Sequence, residues 1–181
     1  STTTTTTTVA ATEVTDAAVA ADPRTFVGAD GVESEIADIS RIVVLSGDLT
    51  ESIFALGLGD SIVGRDVTTI YPPEAIAIPI VGIGRFITAE GVLAENPTLV
   101  LGDTQTSPPE AIEQMRSAGV PVVIFDVPTS FDGLYEKAAQ IGEVLGLPEE
   151  GSALAAEMRN SIEEAIAGAA PLDPAPRVAY V

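Results

Sequence analysis

The segment "RIVVLSGDLTESIFALGLGDSIVGR", residues 41–65, decides how the chain is read. "RIVVL" (41–45) is an apolar run rich in β-branched side chains, the pattern of a strand covered on both faces. "SGDLTESIFALGLG" (46–59) follows with helical spacing. Asp48 is placed to cap this helix with Glu51 three positions later, and Ile53, Leu56 and Leu58 are its apolar positions. Gly57 or Gly59 ends it. "SIVGR" (61–65) returns to strand. Strand, helix and strand in that order predict a parallel pair with the helix laid across it.

The alternation continues downstream. "PTLVLG" (97–102) reads as a strand and "SPPEAIEQMRSAG" (107–119) as a helix. Ser107 is its expected cap, Pro108 fits the first turn, Ile112, Met115 and Ala118 face inward, and Gly119 stops it. "VPVVIFDV" (120–127) is a further strand, and "SFDGLYEKAAQIGEVLG" (130–146) is a helix with Leu134, Ala138, Ile141 and Leu145 on one face. Such a series makes an α/β domain whose parallel sheet is flanked by helices. Ligands of such sheets bind beyond the carboxyl ends of the strands. The loops there are 46–48, 66–72, 82–88, 103–107 and 127–130. They carry Tyr71, before a double proline, and Arg85, between glycines and a phenylalanine, so these two are expected to meet at the mouth of the sheet. Asp103 and Thr104 are candidates to line the same cleft.

The flanks differ from this core. Residues 1–38 begin with a Thr/Ala/Asp tract that has no hydrophobic period and is expected to be a disordered tether. A Thr-rich tail of this kind is common on processed, surface-tethered secreted proteins. The ligand-binding lobe is expected over 39–147. "PEEGSALAAEMRNSIEEAIAGAA" (148–170) sets Leu154, Met158, Ile162 and Ile166 in one helical stripe roughly 30 Å long, so 148–171 is expected to be a connecting helix. "RVAYV" (177–181) resembles "RIVVL", and 172–181 reads as the first strand of a second lobe.

Charge and composition narrow the functions. The formal net charge of −19, with one lysine and seven arginines, argues against nucleic acid and against an anionic membrane surface. No cysteine is present for thiol chemistry, and no histidine for the usual zinc site or Ser-His-Asp triad. "GLG" (57–59) and "GIG" (82–84) lack the full glycine fingerprint of a phosphate cradle. With no nucleophile–base pair in view, an enzyme is not expected.

The order strand–"SGDLTESIFALGLGDSIVGRD"–"YPP"–"VG", then "TAEGVLAENPTLVL" and "GVPVVIFDVP", resembles the substrate-binding proteins of ABC importers for haem, cobalamin and ferric siderophores. "YPPEA" with "GIGRFITAEG" is most similar to the haem-binding branch. The resemblance covers 41–181. It implies a Rossmann-like lobe of a bilobal, extracytoplasmic, monomeric protein that takes haem as transported ligand and delivers it to an ABC permease. It implies Tyr71 as axial tyrosinate to the haem iron, a hard oxygen donor suited to Fe(III). Arg85 would bond the phenolate or a propionate, and Glu90 would dock onto the permease. Glu90 also has a purely local reading, since Thr88 is a natural N-cap and a first-turn acid gains from the helix dipole. Other members carry a histidine at or near Arg85, which this chain lacks. A ferric siderophore or cobalamin is the alternative ligand within the resemblance, and an α/β enzyme lobe the alternative outside it.

Overall fold

The computed structural model describes residues 23–83 and 86–169. A six-stranded sheet forms the centre, in the order β6-β5-β4-β3-β7-β8. Its strands are β3 (Ile42–Val44), β4 (Ile62–Asp66), β5 (Ile80–Ile83), β6 (Phe86–Ile87), β7 (Leu99–Asp103) and β8 (Val122–Phe125). All neighbours pair in parallel except β5 and β6, which are antiparallel. The helices are α1 (Gly47–Ala55), α2 (Ala89–Leu93), α3 (Pro109–Ser117), α4 (Phe131–Leu145) and α5 (Pro148–Gly168).

The continuous apolar runs become strands buried on both sides because alternate side chains feed two separate cores. Ile42 and Val44, Leu99 and Leu101, Val123 and Phe125 pack with Leu49 and Ile53 of α1 and Ile141 and Leu145 of α4. Val43, Val100, Val122 and Ile124 pack on the opposite side with Val92 of α2 and Ala111, Ile112 and Met115 of α3. This is the period-two alternation of a strand covered twice.

Several local expectations are corrected. Residues 24–36 do not belong to a tether: β1 (Arg24–Val27) and β2 (Glu33–Ile36) form an antiparallel hairpin, and Ile36 and Ile39 are fully buried in the first core. Alternation in "ESEI" buries Ser34 and Ile36 and leaves Glu33 and Glu35 in solvent, a half-buried strand rather than a polar tail. Residues 1–22 lie outside the described residues. Asp48 is not the cap of α1: Ser46 holds the N-cap position, and Asp48 sits in the first turn facing Lys137. Pro108, not Ser107, occupies the N-cap of α3, with Pro109 in the first turn. Ala118 is exposed and Ala111 buried in its stead.

The α5 helix leaves the lobe as a 21-residue rod. Its start packs closely on α4, where Gly142 and Gly151 meet backbone to backbone: a Cβ added at Gly142 would stand 2.5 Å from the Gly151 Cα. Leu154, Met158 and Ile162 are half-buried, while Ile166 is 60% exposed, so the stripe outlasts the lobe that covers it. The segment 172–181, expected as a strand, lies outside the described residues.

Candidate ligand-binding site

The carboxyl ends of β3, β4, β7 and β8 open on one edge, as the alternation requires. The loop after β4 is the most heavily bonded. Asp66, almost fully buried, accepts from the Thr68 backbone amide at 3.0 Å and from the Thr68 and Thr69 hydroxyls at 2.5 and 3.1 Å. Thr69 in turn shares a hydrogen bond with Thr50 of α1 at 3.1 Å. Arg65, also buried, meets no carboxylate among the described residues. Its guanidinium donates to the carbonyls of Asp66, Thr69, Ile76 and Ile78 at 2.9–3.1 Å, spanning the loop that carries Tyr71.

Tyr71 itself stands outward, 60% exposed, before a cis peptide bond to Pro72. It is flanked in sequence by Ile70, 77% exposed. Phe86, at the start of β6, is 74% exposed, and Val67 and Phe131 at the ends of the β4 and β8 loops are also open to solvent. Arg85 lies outside the described residues, so its expected meeting with Tyr71 does too.

Between the loops is a cavity of about 190 Å³ lined by Leu45, Ser46, Asp66, Thr68, Asp103 and Thr106. That is below the 300–1,000 Å³ typical of pockets that enclose a small molecule. Asp103 lines the cavity, and its carboxylate accepts from the Gln105 amide at 2.8 Å. Thr104 donates its amide to the Phe125 carbonyl and lines a neighbouring depression beside Pro109, Ile112 and Arg116. Glu90 is exposed in the first turn of α2, where Thr88 caps by accepting from the Gly91 amide at 3.1 Å.

Lys137 and Asp48 form a 2.6 Å ion pair at the same edge, with the lysine almost wholly buried and the carboxylate half-exposed. Burial pushes the Asp48 carboxyl up, but hydrogen bonds from Lys137 and Ser46, with the lysine charge, hold it below the usual carboxylate range. Among the described residues no cluster of three acidic side chains is placed to hold a metal ion directly.

The features the sequence reading missed are Arg65, Asp66 and the bare apolar side chains. An arginine closing an otherwise apolar strand, in a chain with only eight basic residues, was the available signal.

A helix-covered parallel sheet with a bonded, apolar-topped carboxyl edge and a long departing helix defines one lobe of an α/β binding protein. The model of the periplasmic binding protein family matches residues 42–181. The chain belongs to that family. The cobalamin-binding protein of Halobacterium salinarum is 36% identical over 144 residues, which cover 77% of this chain and 38% of that protein. Among solved structures, the apo form of the periplasmic heme-binding protein RhuT from Roseiflexus sp. RS-1 is 46% identical with a TM-score of 0.67, over 70% of this chain and 48% of that one. The heme-binding protein HmuT is 39% identical with a TM-score of 0.76, over 84% and 50%. The chain thus spans about half the length, or less, of the relatives it matches.

Proposed function

We propose that the protein is the extracytoplasmic substrate-binding component of an ABC importer, and that it captures haem on the carboxyl edge of this lobe for delivery to a membrane permease. The observation that carries the reading is that Tyr71, its sequence neighbour Ile70 and, on another loop of the same edge, Phe86 are all exposed. A porphyrin offers two apolar faces and a ferric centre, and this edge offers apolar contact and an accessible phenol oxygen. The likeness to heme-binding structures at 39–46% identity supports the same reading. In it Tyr71 supplies the axial oxygen, Arg85 meets the phenolate or a propionate, Asp103 and Thr104 line the cleft beside the macrocycle, and Glu90 docks on the permease. The carrier works as a monomer on the outer side of the membrane, held there by its N-terminal segment, and the protein is no enzyme.

Cobalamin is the second reading, favoured by the 36% identical cobalamin-binding relative. Parallel titrations of the full-length protein with haemin and with cyanocobalamin, each followed by absorbance, separate the two. Saturable binding of haemin at stoichiometric concentration, with cyanocobalamin leaving the protein unchanged, is the expected result. Saturation by cyanocobalamin alone would reverse the assignment.

A further inference from the structure

We infer that Arg65 is a positioning residue for the ligand-bearing tyrosine, a role that rests on the haem reading above. A buried arginine ordinarily meets a carboxylate. Here four carbonyls, of Asp66, Thr69, Ile76 and Ile78, receive its guanidinium, and among the described residues no ion pair is made to it. These acceptors lie on both sides of Tyr71 in sequence, so one side chain ties together the two ends of the segment that presents the phenol. The planar fork makes this possible: five N–H donors fixed in one plane reach divergent carbonyls that an ammonium on a flexible stem cannot reach together. Asp66 completes the frame from the other side by holding Thr68 and Thr69. The result is an exposed side chain on a backbone that is fixed before ligand arrives, which lowers the ordering cost of binding.

The test compares wild type, Arg65→Lys and Tyr71→Phe in the full-length protein, with haemin as the probe. Amide hydrogen exchange over 66–78, haemin affinity and the spectrum of the bound haem are read together. Arg65→Lys is expected to raise exchange in 66–78 at least about tenfold while the β7 and β8 amides stay protected. Its haemin affinity falls roughly tenfold or more, and its bound-haem spectrum moves toward that of Tyr71→Phe. A merely structural role would lower the melting temperature and leave the bound spectrum unchanged, and that outcome overturns the inference. So does unchanged exchange in 66–78. A wild type that does not bind haemin removes the haem reading alone; cyanocobalamin then serves as probe, with the same affinity loss required of Arg65→Lys.

A separate observation, independent of the ligand, carries a second inference. Of the eight basic residues of the chain, the six other than Arg85 and Arg177 are Arg24, Arg41, Arg65, Arg116, Lys137 and Arg159, and each is already committed. Arg24, Arg41 and Arg65 donate to backbone carbonyls. The other three pair with Asp30 and Glu113, with Asp48, and with Asp132. The remaining carboxylates of the described residues have no ion-pair partner among those residues. On α5, Glu149, Glu150, Glu157, Glu163 and Glu164 share a helix whose one basic residue, Arg159, is turned to Asp132 and the Tyr135 ring. Self-repulsion of this kind opposes the compact state and fades as salt shortens the screening length from about 10 Å at 0.1 M to about 3 Å at 1 M. The charge distribution points to a fold stabilised by molar monovalent salt.

Thermal unfolding of the full chain in 0.1 M and 2 M KCl tests this, beside a variant with Glu157, Glu163 and Glu164 of α5 changed to glutamine. The parent is expected to melt roughly 10 °C or more higher in 2 M KCl. The variant should melt above the parent in low salt and respond less to added KCl. A parent insensitive to KCl overturns the inference. Equal salt responses in parent and variant also overturn it, since they would trace the effect to solvent exclusion from any surface.

Discussion

At the β8 edge of the sheet, the N-terminal hairpin sets the Ala29 amide on the Ile124 carbonyl at 2.7 Å and the Ser34 hydroxyl on the Val122 carbonyl at 3.1 Å. Arg116 adds a second donor to Val122 at 2.9 Å, and Ile36 is driven into the core behind. At the carboxyl ends of the same strands the opposite is found: the loop backbone is bonded by Arg65 and Asp66, yet Ile70, Tyr71 and Phe86 remain in water. One boundary is closed in its backbone and buries Ile36, although Val27 and Val32 of the hairpin stay exposed; the other is closed in backbone alone. An open strand edge invites pairing with another chain and is normally covered. On the function proposed above, the apolar side chains left uncovered on the carboxyl edge are kept for the ligand, and the difference separates a boundary that serves stability from one that serves binding.

Substitutions at three positions break or sharpen that contrast. The largest effect on stability is expected at the closed boundary, where Ile36→Ala empties a fully buried site and costs about 2–5 kcal/mol in urea unfolding. Next is the ion pair at the open edge. Asp48→Ala strands the buried Lys137 charge and costs about 2–3 kcal/mol, less than for a dry pair because Asp48 is half-exposed. The same pair sets a pH dependence. The folded Asp48 titrates below its unfolded value, so its contribution is present above the ordinary carboxylate range and is lost as pH falls through the lower folded value. Acid unfolding of Asp48→Asn should accordingly show a shallower loss of stability between about pH 5 and pH 2 than the parent. The smallest effect on stability is expected for Ile70→Ala, within about 0.5 kcal/mol of wild type, because the side chain is already in water. In a haemin titration that same variant should lose affinity several-fold. A large loss of stability at Ile70, or none at Ile36, would dissolve the distinction between the two boundaries.

The central sheet was legible because its strands are runs that can only be covered twice: "RIVVL", "PTLVLG" and "VPVVIFDV" all became parallel strands, shortened at their ends. The helices α3 and α4 followed from their periodicity, though the capping of α1 and α3 did not, since which of two neighbouring polar or proline residues takes the cap depends on tertiary partners such as Lys137. The hairpin was missed because its strands are four residues each and its buried positions are few, so the pattern is lost beside a polar tail. Strands β5 and β6 were missed for a related reason: they are short, and Gly82 interrupts the apolar alternation. Tyr71 could be singled out as a candidate from its loop and rarity, whereas the hydrogen bonds of Arg65 could not, because its four acceptors are backbone carbonyls that carry no mark in the sequence.

The most direct test of the account is the coordination of iron in the haemin-loaded full-length protein, read by resonance Raman and electron paramagnetic resonance, with Tyr71→Phe alongside. The account predicts a ferric, tyrosinate-ligated haem in the wild type and loss of the phenolate bands in the variant. Bound haem with no phenolate bands in the wild type, or an identical spectrum in Tyr71→Phe, would contradict it.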